Sequence, residues 1–398
     1  MSIPSSFREL FANPNTIIYL FFGLVGIYIL YLVTKKIILF WKYRLVFYIF
    51  PKLTSRNIAN IAMVIAISIA VIVLLTVISG GLMGVLFRVY PSWRSTIEGI
   101  LIKIGGLLFG PIVGLFIGAA TDILTVTLTA GMFHYGYFIS ALAYGFFSGM
   151  IKNILGMNRK KNLFVSLVIS FALMTITSLF IDLYLFNICG GDNFHLSLMN
   201  IEFSLSPFYS VLILNIFCFI LFSVCFVWYI LSYKKDMGLY FMKKKYLLRF
   251  GTFEKHNINK LKHNKNTQSV SDKLFAWHSV NISKQIIMKN KLKSLSSQIK
   301  PKEDSALYFL IPVFLLMIVG EQLVDILIMP VFDQQLGGGV PLESWLLIRI
   351  IAFPFVSIVN IVVIYPSFKA ISGFITVDNG RGFERYKKAN AIAKQQSV

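Results

Sequence analysis

Charged side chains inside otherwise apolar stretches are the residues of this chain most able to do chemistry. Arg94, Lys103, Asp122, Glu321, Asp325 and Arg349 all lie in such stretches. A charge in hydrocarbon is costly, so it is expected to pair or to line a cavity. Glu321 and Asp325 are four apart and share a helix face. Arg349 lies in the next apolar segment, at matching depth if the two form an antiparallel hairpin joined by 330–342. The expectation is an ion pair of Arg349 with Glu321 or Asp325; the functional reading has Arg349 facing a ligand as well. Arg94 is followed four residues later by Glu98, which suits a surface pair. The alternative is an anion anchor, because a guanidinium forks onto a carboxylate through two parallel hydrogen bonds. Lys103 lies mid-helix and has three options: to snorkel, to pair with Asp122, or to meet the ligand. Trp93, His134, Tyr135 and Tyr137 fall near the same end of the spans and supply aromatic surface. His134 reads as a hydrogen-bonding residue, since no second His or Cys sits at metal-ligand spacing.

The stretch that positions most of these groups is Arg94–Met150. Gly106, Gly110, Gly114 and Gly118 recur every four residues. That spacing puts small residues on one helix face, where two backbones can approach closely. Pro111 breaks the run, so two helices are expected to meet at a tight Gly110-Pro111 corner. Asp122 continues the glycine face and should point into the bundle, as a packing residue or a pocket residue.

At 57% hydrophobic and mean hydropathy +0.74, the chain is a polytopic membrane protein with an all-α fold. Nine spans are expected, near 17–41, 58–79, 95–109, 111–130, 138–155, 163–185, 207–232, 307–329 and 343–365. The net charge of +21 comes mainly from connectors between spans. The positive-inside rule accounts for it better than nucleic-acid binding does. That rule puts the connectors after spans one, five and seven, and the tail, in the cytoplasm. The first span reads as a retained anchor of a multi-pass cell-membrane protein, not a cleaved signal. The long basic insert, 233–306, suits anionic lipid headgroups. Three cysteines without metal spacing imply neither a disulfide framework nor a zinc site.

Ala62, Ala66 and Ala70 form a smooth stripe on the second span. It serves either packing inside the chain or docking to a partner. The chain has no G-x-x-x-x-G-K-[ST], no H-E-x-x-H and no G-x-S-x-G, so enzymatic chemistry is not signalled and no cofactor is expected.

The motifs GLLFGPIVGLFIGAATD (106–122), AGMFHYGYFIS (130–140) and YGFFSGM (144–150) resemble the substrate-binding (S) component of energy-coupling factor vitamin transporters. The folate-type members are the most similar, with an arginine sixteen residues before the corner glycine, as Arg94 stands before Gly110. Leu101 departs from that pattern, in which a proline stands seven residues after the arginine. The resemblance covers 58–157 and extends to the last two spans. It implies a six-helix core plus about three extra spans. The favoured division is an anchor and basic connector (1–57), core helices one to four (58–157), an inserted pair of spans (158–232), the basic insert (233–306), core helices five and six (307–366) and a basic tail (367–398). The alternative takes the six consecutive spans 58–232 as the core.

The resemblance further implies a folate or reduced-folate ligand, whose glutamate carboxylates and flat pterin ring suit cations and aromatics. The implied ligand set is Arg94, Arg349, Trp93, Lys103, Asp122, His134, Tyr135 and Tyr137. Ala62, Ala66 and Ala70 would dock a shared transmembrane coupling subunit, and two partner ATPases would supply the energy. Alternatives are riboflavin, pantothenate or thiamine on the same architecture, an ion-driven secondary transporter, or a membrane scaffold acting through the insert. The secondary transporter predicts paired inverted repeats, and only one Gly-Pro break is present.

Overall fold

The computed structural model describes residues 11–43, 55–79, 82, 91–129, 133–155, 163–189, 194–198, 201–231, 306–336 and 340–374; the side chains at 91–94 are not among them. Long helices dominate: α1 (Pro14–Tyr43), α2 (Ser55–Ile78), α3 (Pro91–Phe109), α4 (Pro111–Leu128), α5 (Tyr135–Leu155) and α6 (Leu163–Cys189), then α7 (Pro207–Leu231). A composite helix α8 (306–336) and α9 (Leu342–Phe374) follow. Eight of these are long and apolar enough to cross a membrane. The ninth, α3, is only 19 residues long and carries Arg94, Glu98 and Lys103. The expected all-α bundle is present among the described residues; eight of the nine expected spans qualify and α3 falls short, while α8 and α9 run on past their expected ends to Leu336 and Phe374.

Contacts divide the chain into one unit of Met1–Phe222 with Phe309–Val398 and another of Ser223–Tyr308. In the second, residues 223–231 close α7 and 306–308 open α8. The basic stretch 233–305 expected at the lipid surface lies outside the described residues.

In the first unit, α3, α4 and α5 pack most closely on one another, α2 lies against α3 and α4, and α9 lies against α3. Gly110 makes this possible. Its φ of +97° suits glycine, and Pro111 opens α4 at its first turn, where the missing N–H costs nothing. The glycine spacing therefore does not pave a single helix face. Gly106 lies on α3, Gly110 is the corner, and Gly114 and Gly118 lie on α4; the two sets converge on α5. The approach is closest where Gly114 meets Gly145: a Cβ on either would overlap the other's carbonyl.

The central helix is α8. Its apolar window is 94% buried, against 22% for α1 and for α2. It is not a plain α-helix. Leu316–Gly320 and Gln322–Ile328 are π-helical, between α segments Ala306–Leu315 and Met329–Leu336. The span does not end at Pro330, as expected. The N–H of Met329 still reaches back five residues to the Val324 carbonyl. Pro330 thus follows a widened turn, which relieves the clash its ring would make with an ordinary helix.

Residues 186–206, expected to be a plain connection, include an antiparallel hairpin of β1 (Phe194–Leu198) and β2 (Ile201–Leu205), with Phe194 opposite Leu205 and Leu198 opposite Ile201. It packs on α9.

Candidate functional site

Because α8 runs on to Leu336, its acids lie deeper than the shorter span implied. Glu321 is fifteen residues, about 20 Å, below that end. Glu321, Asp325 and Asp333 are spaced in multiples of four along α8 and present three buried carboxylates to the surrounding helices.

At the deepest level Lys103 of α3 forms an ion pair with Glu321 Oε1. The Lys103 ammonium also lies 4.0 Å from the centre of the Tyr144 ring on α5, a cation–π contact strengthened by the absence of water. Asn360 of α9 donates its Nδ2 to the same Glu321 oxygen. One level nearer Leu336, the Tyr144 hydroxyl donates to Asp325 Oδ1 at 2.7 Å. Arg349 Nη1 reaches the same oxygen at 3.4 Å. At the next level Arg349 Nε and Nη2 donate to Asp333 Oδ2 at 3.0 and 2.7 Å, while the Tyr137 hydroxyl donates to Asp333 Oδ1 at 2.6 Å. Arg349, about three turns from Asn360 on the same face of α9, therefore ties two acids of α8 to α9.

The network opens outward at the Leu336 end. Tyr135, partly exposed, donates its hydroxyl to Gln335 Oε1 at 2.6 Å. His134 stacks on Tyr135 with ring centres 4.8 Å apart, and Phe332 meets both rings edge-on. The Gly136 N–H donates to His134 Nδ1 at 3.2 Å, which requires that nitrogen to be unprotonated. Half-burial lowers the His134 pKa from its ordinary value; the Asp333 charge and a Gln335 hydrogen bond oppose this more weakly.

Several sequence-predicted residues thus meet here. Arg349, Lys103, His134, Tyr135 and Tyr137 all touch α8 side chains. Arg349 meets Asp325, one of its two expected partners, and the other pairings differ from those expected. Arg349 pairs with Asp325 and Asp333 and leaves Glu321 to Lys103. Lys103, fully buried, neither snorkels nor turns to Asp122; it reaches across to α8. Asp122 is buried on α4, 1% exposed, as its place on the glycine face implied. Trp93 and Arg94 begin α3, but their side chains lie outside the described residues, and so does any pairing of Arg94 with Glu98. Sequence reasoning missed Tyr144, Asp333, Gln335 and Asn360. Asp333 was hidden by reading Pro330 as a stop, although it stands eight residues after Asp325 on the same four-residue ladder. Asn360 was visible as a lone amide in an apolar run.

On α2, Ala62, Ala66 and Ala70 are exposed. The opposite face, with Ile61, Val64, Ser68 and Ile72, is buried against the bundle. Among the described residues no three His, Cys, Asp or Glu side chains are placed to hold a metal ion. Cys218 and Cys225 are free and buried, and Cys218 Sγ accepts a hydrogen bond from Gln322 at 3.0 Å.

Comparison with known proteins bears on what this network serves. Residues 56–233, from α2 to the end of α7, match the model of the family described as ECF transporter, substrate-specific component. Over 374 residues the chain is 28% identical to an uncharacterized protein, the MG098 homolog of Mycoplasma pneumoniae; the alignment covers 90% of this chain and 70% of that one. No solved structure matches the chain significantly.

Proposed function

We propose that this chain is the membrane-embedded vitamin-binding subunit of an energy-coupling factor importer. It works with a transmembrane coupling subunit and two ATPases, which hydrolyse the ATP. The observation that carries the proposal is the family match over 56–233. The exposed Ala62, Ala66 and Ala70 support it: small side chains facing out of an otherwise bulky apolar helix give a partner helix close access. The ligand site is read at the Leu336 end of α8, among His134, Tyr135, Tyr137, Gln335 and Arg349, with Trp93 and Arg94 opening the neighbouring helix. Lys103 and Asp122 belong to its buried base. Packing of α8 and α9 on α3 and α5 favours a binding core of 58–157 with 307–366, whereas the family match, which takes in 158–232, favours the six consecutive spans 58–232. The basic connectors, the insert and the tail face the cytoplasm, where the insert meets anionic lipid, and the ligand arrives from outside.

Folate is the first ligand to test, against riboflavin, pantothenate and thiamine. Aromatic surface around His134 and Tyr135 favours a flat-ringed vitamin in any case.

The test is purification of the tagged full chain from its native membrane in mild detergent, followed by vitamin binding. The expected eluate holds a second membrane protein and two ATPases, and Ala66→Trp is expected to lose them while remaining monodisperse. An eluate without ATPases from wild type ends the proposal. Partners retained in full by Ala66→Trp would move the docking face elsewhere.

A further inference from the structure

The deepest part of the network is short of hydrogens. Glu321 Oε1 accepts from both Lys103 and Asn360, whereas Glu321 Oε2, Asn360 Oδ1 and Gln322 Oε1 are buried acceptors without a donor. The Ser357 hydroxyl, one turn before Asn360, is buried and unpartnered as well. A buried acceptor left unsatisfied costs about 1–3 kcal/mol, and more when it is charged. The Glu321 and Asp325 carboxyl groups also lie within hydrogen-bonding reach of each other. Two carboxylates in that contact repel unless a hydrogen sits between them.

Charge leads to the same place. The contacts above join five charged side chains: Lys103 and Arg349 against Glu321, Asp325 and Asp333. Among the described residues in these contacts, three acids face two bases. One additional positive hydrogen makes this set neutral, and neutrality is what a site fully removed from water demands.

We propose that Glu321 and Asp325 form an intramembrane binding site for one positive hydrogen, held between Glu321 Oε2 and the Asp325 carboxyl. Groups near the pair are Lys103 on α3, Tyr144 on α5, Arg349 and Asn360 on α9, Asp333 and Gln322 on α8, and Cys218 on α7 through Gln322; α6, which also packs on this part of α8, brings Asp182, hydrogen-bonded by Asn215 of α7. None of the donors among them gives a hydrogen to Oε2. Tyr144 and Arg349 already donate to Asp325 Oδ1, so the hydrogen is left to Oε2 and the remaining Asp325 oxygen. Two sources share this chemistry: a proton, or the N–H of a cationic ligand reaching down from the Leu336 end. The inference does not depend on which vitamin is bound.

Infrared difference spectroscopy on the full chain in lipid vesicles reads the site directly. A protonated carboxyl group has a carbonyl stretch well separated from that of a carboxylate. Wild type minus Glu321→Gln, and wild type minus Asp325→Asn, are each expected to show one protonated-carboxyl band at pH 7; two variants guard against misfolding of one. Thiamine then serves as a cationic probe. If the band is lost when it binds, the cation occupies the proton's place; if the band persists, the proton is the resident group. Absence of the band from both difference spectra at pH 7 without thiamine overturns the proposal, as does a band that both variants retain.

Discussion

Removing Lys103 tests the network at its least hydrated point. Its side chain is fully buried and the carboxylate it meets, Glu321, is 1% exposed at the side chain. At a separation of about 3 Å and an effective dielectric near 20, their attraction is about 5 kcal/mol. Lys103→Met keeps the length and apolar stem but strands the negative charge that Glu321 shares with Asp325, and breaking a buried pair in this way costs about 3–5 kcal/mol. Glu321→Gln is expected to be milder. Lys103 then keeps the face of Tyr144, which is worth about 2 kcal/mol to a desolvated ammonium, and Asp325 remains one turn away. The loss should be about 1–2 kcal/mol, close to that of one charge-assisted hydrogen bond.

The double variant isolates the pair. Lys103→Met with Glu321→Gln removes both charges, so the stranded carboxylate no longer exists, and the combined loss should fall short of the sum of the singles by about 2 kcal/mol or more. Unfolding of the full chain in mixed micelles, titrated with a denaturing detergent and followed by tryptophan fluorescence, measures all four species. Additive losses within about 0.5 kcal/mol would mean that Lys103 and Glu321 do not meet. A Lys103→Met protein as stable as wild type would refute the buried pairing outright.

The remaining outcomes follow from particular contacts. Gly145→Val puts a branched side chain into the Gly114 carbonyl, so loss of monodisperse protein is expected on size-exclusion chromatography, whereas Gly23→Val, at a position with open space around it, should purify as wild type. His134 gives a pH dependence. Its pKa is lowered in the folded chain, so the unfolded state binds the proton more readily, and stability is complete above the ordinary imidazole range and falls as pH drops through the lowered value. A thermal-unfolding series from pH 8 to pH 5 should show that fall in wild type and less of it in His134→Gln; an equal fall in both assigns it to other groups.

How much of this was legible in the residues differs between fold and site. The spans were legible because the bilayer fixes how long an apolar run must be, and the Gly110-Pro111 corner because few other residue pairs end and restart a helix within a single residue. The presence of charges was equally plain. Their pairing was not: Lys103 and Glu321 are 218 residues apart, and only the fold decides which helix faces which. Asp333 was lost to a sound rule applied where a π-helical turn suspends it. The hairpin at 194–205 was legible and overlooked. Phe194-His195-Leu196-Ser197-Leu198 and Ile201-Glu202-Phe203-Ser204-Leu205 both alternate apolar and polar residues.

The site's charge also constrains the ligand. An arginine that anchors a ligand carboxylate must offer its fork, and Arg349 already gives Nε and Nη2 to Asp333 and Nη1 to Asp325. To bind a carboxylate there, the ligand has to displace Asp333, leaving that buried acid with Tyr137 alone among the contacts described above. The network would then hold more negative charge than before with no added cation. A dicarboxylate is therefore poorly matched to Arg349. An N–H-bearing ring is well matched to the same place, because Asp333 and Gln335 accept and the rings of His134, Tyr135 and Phe332 stack. If folate is the ligand, its ring and not its glutamate belongs at α8, and the carboxylates fall to Arg94. If the ligand is neutral or cationic, Arg349 need not contact it, and its work is to hold α8 and α9 together beneath the site.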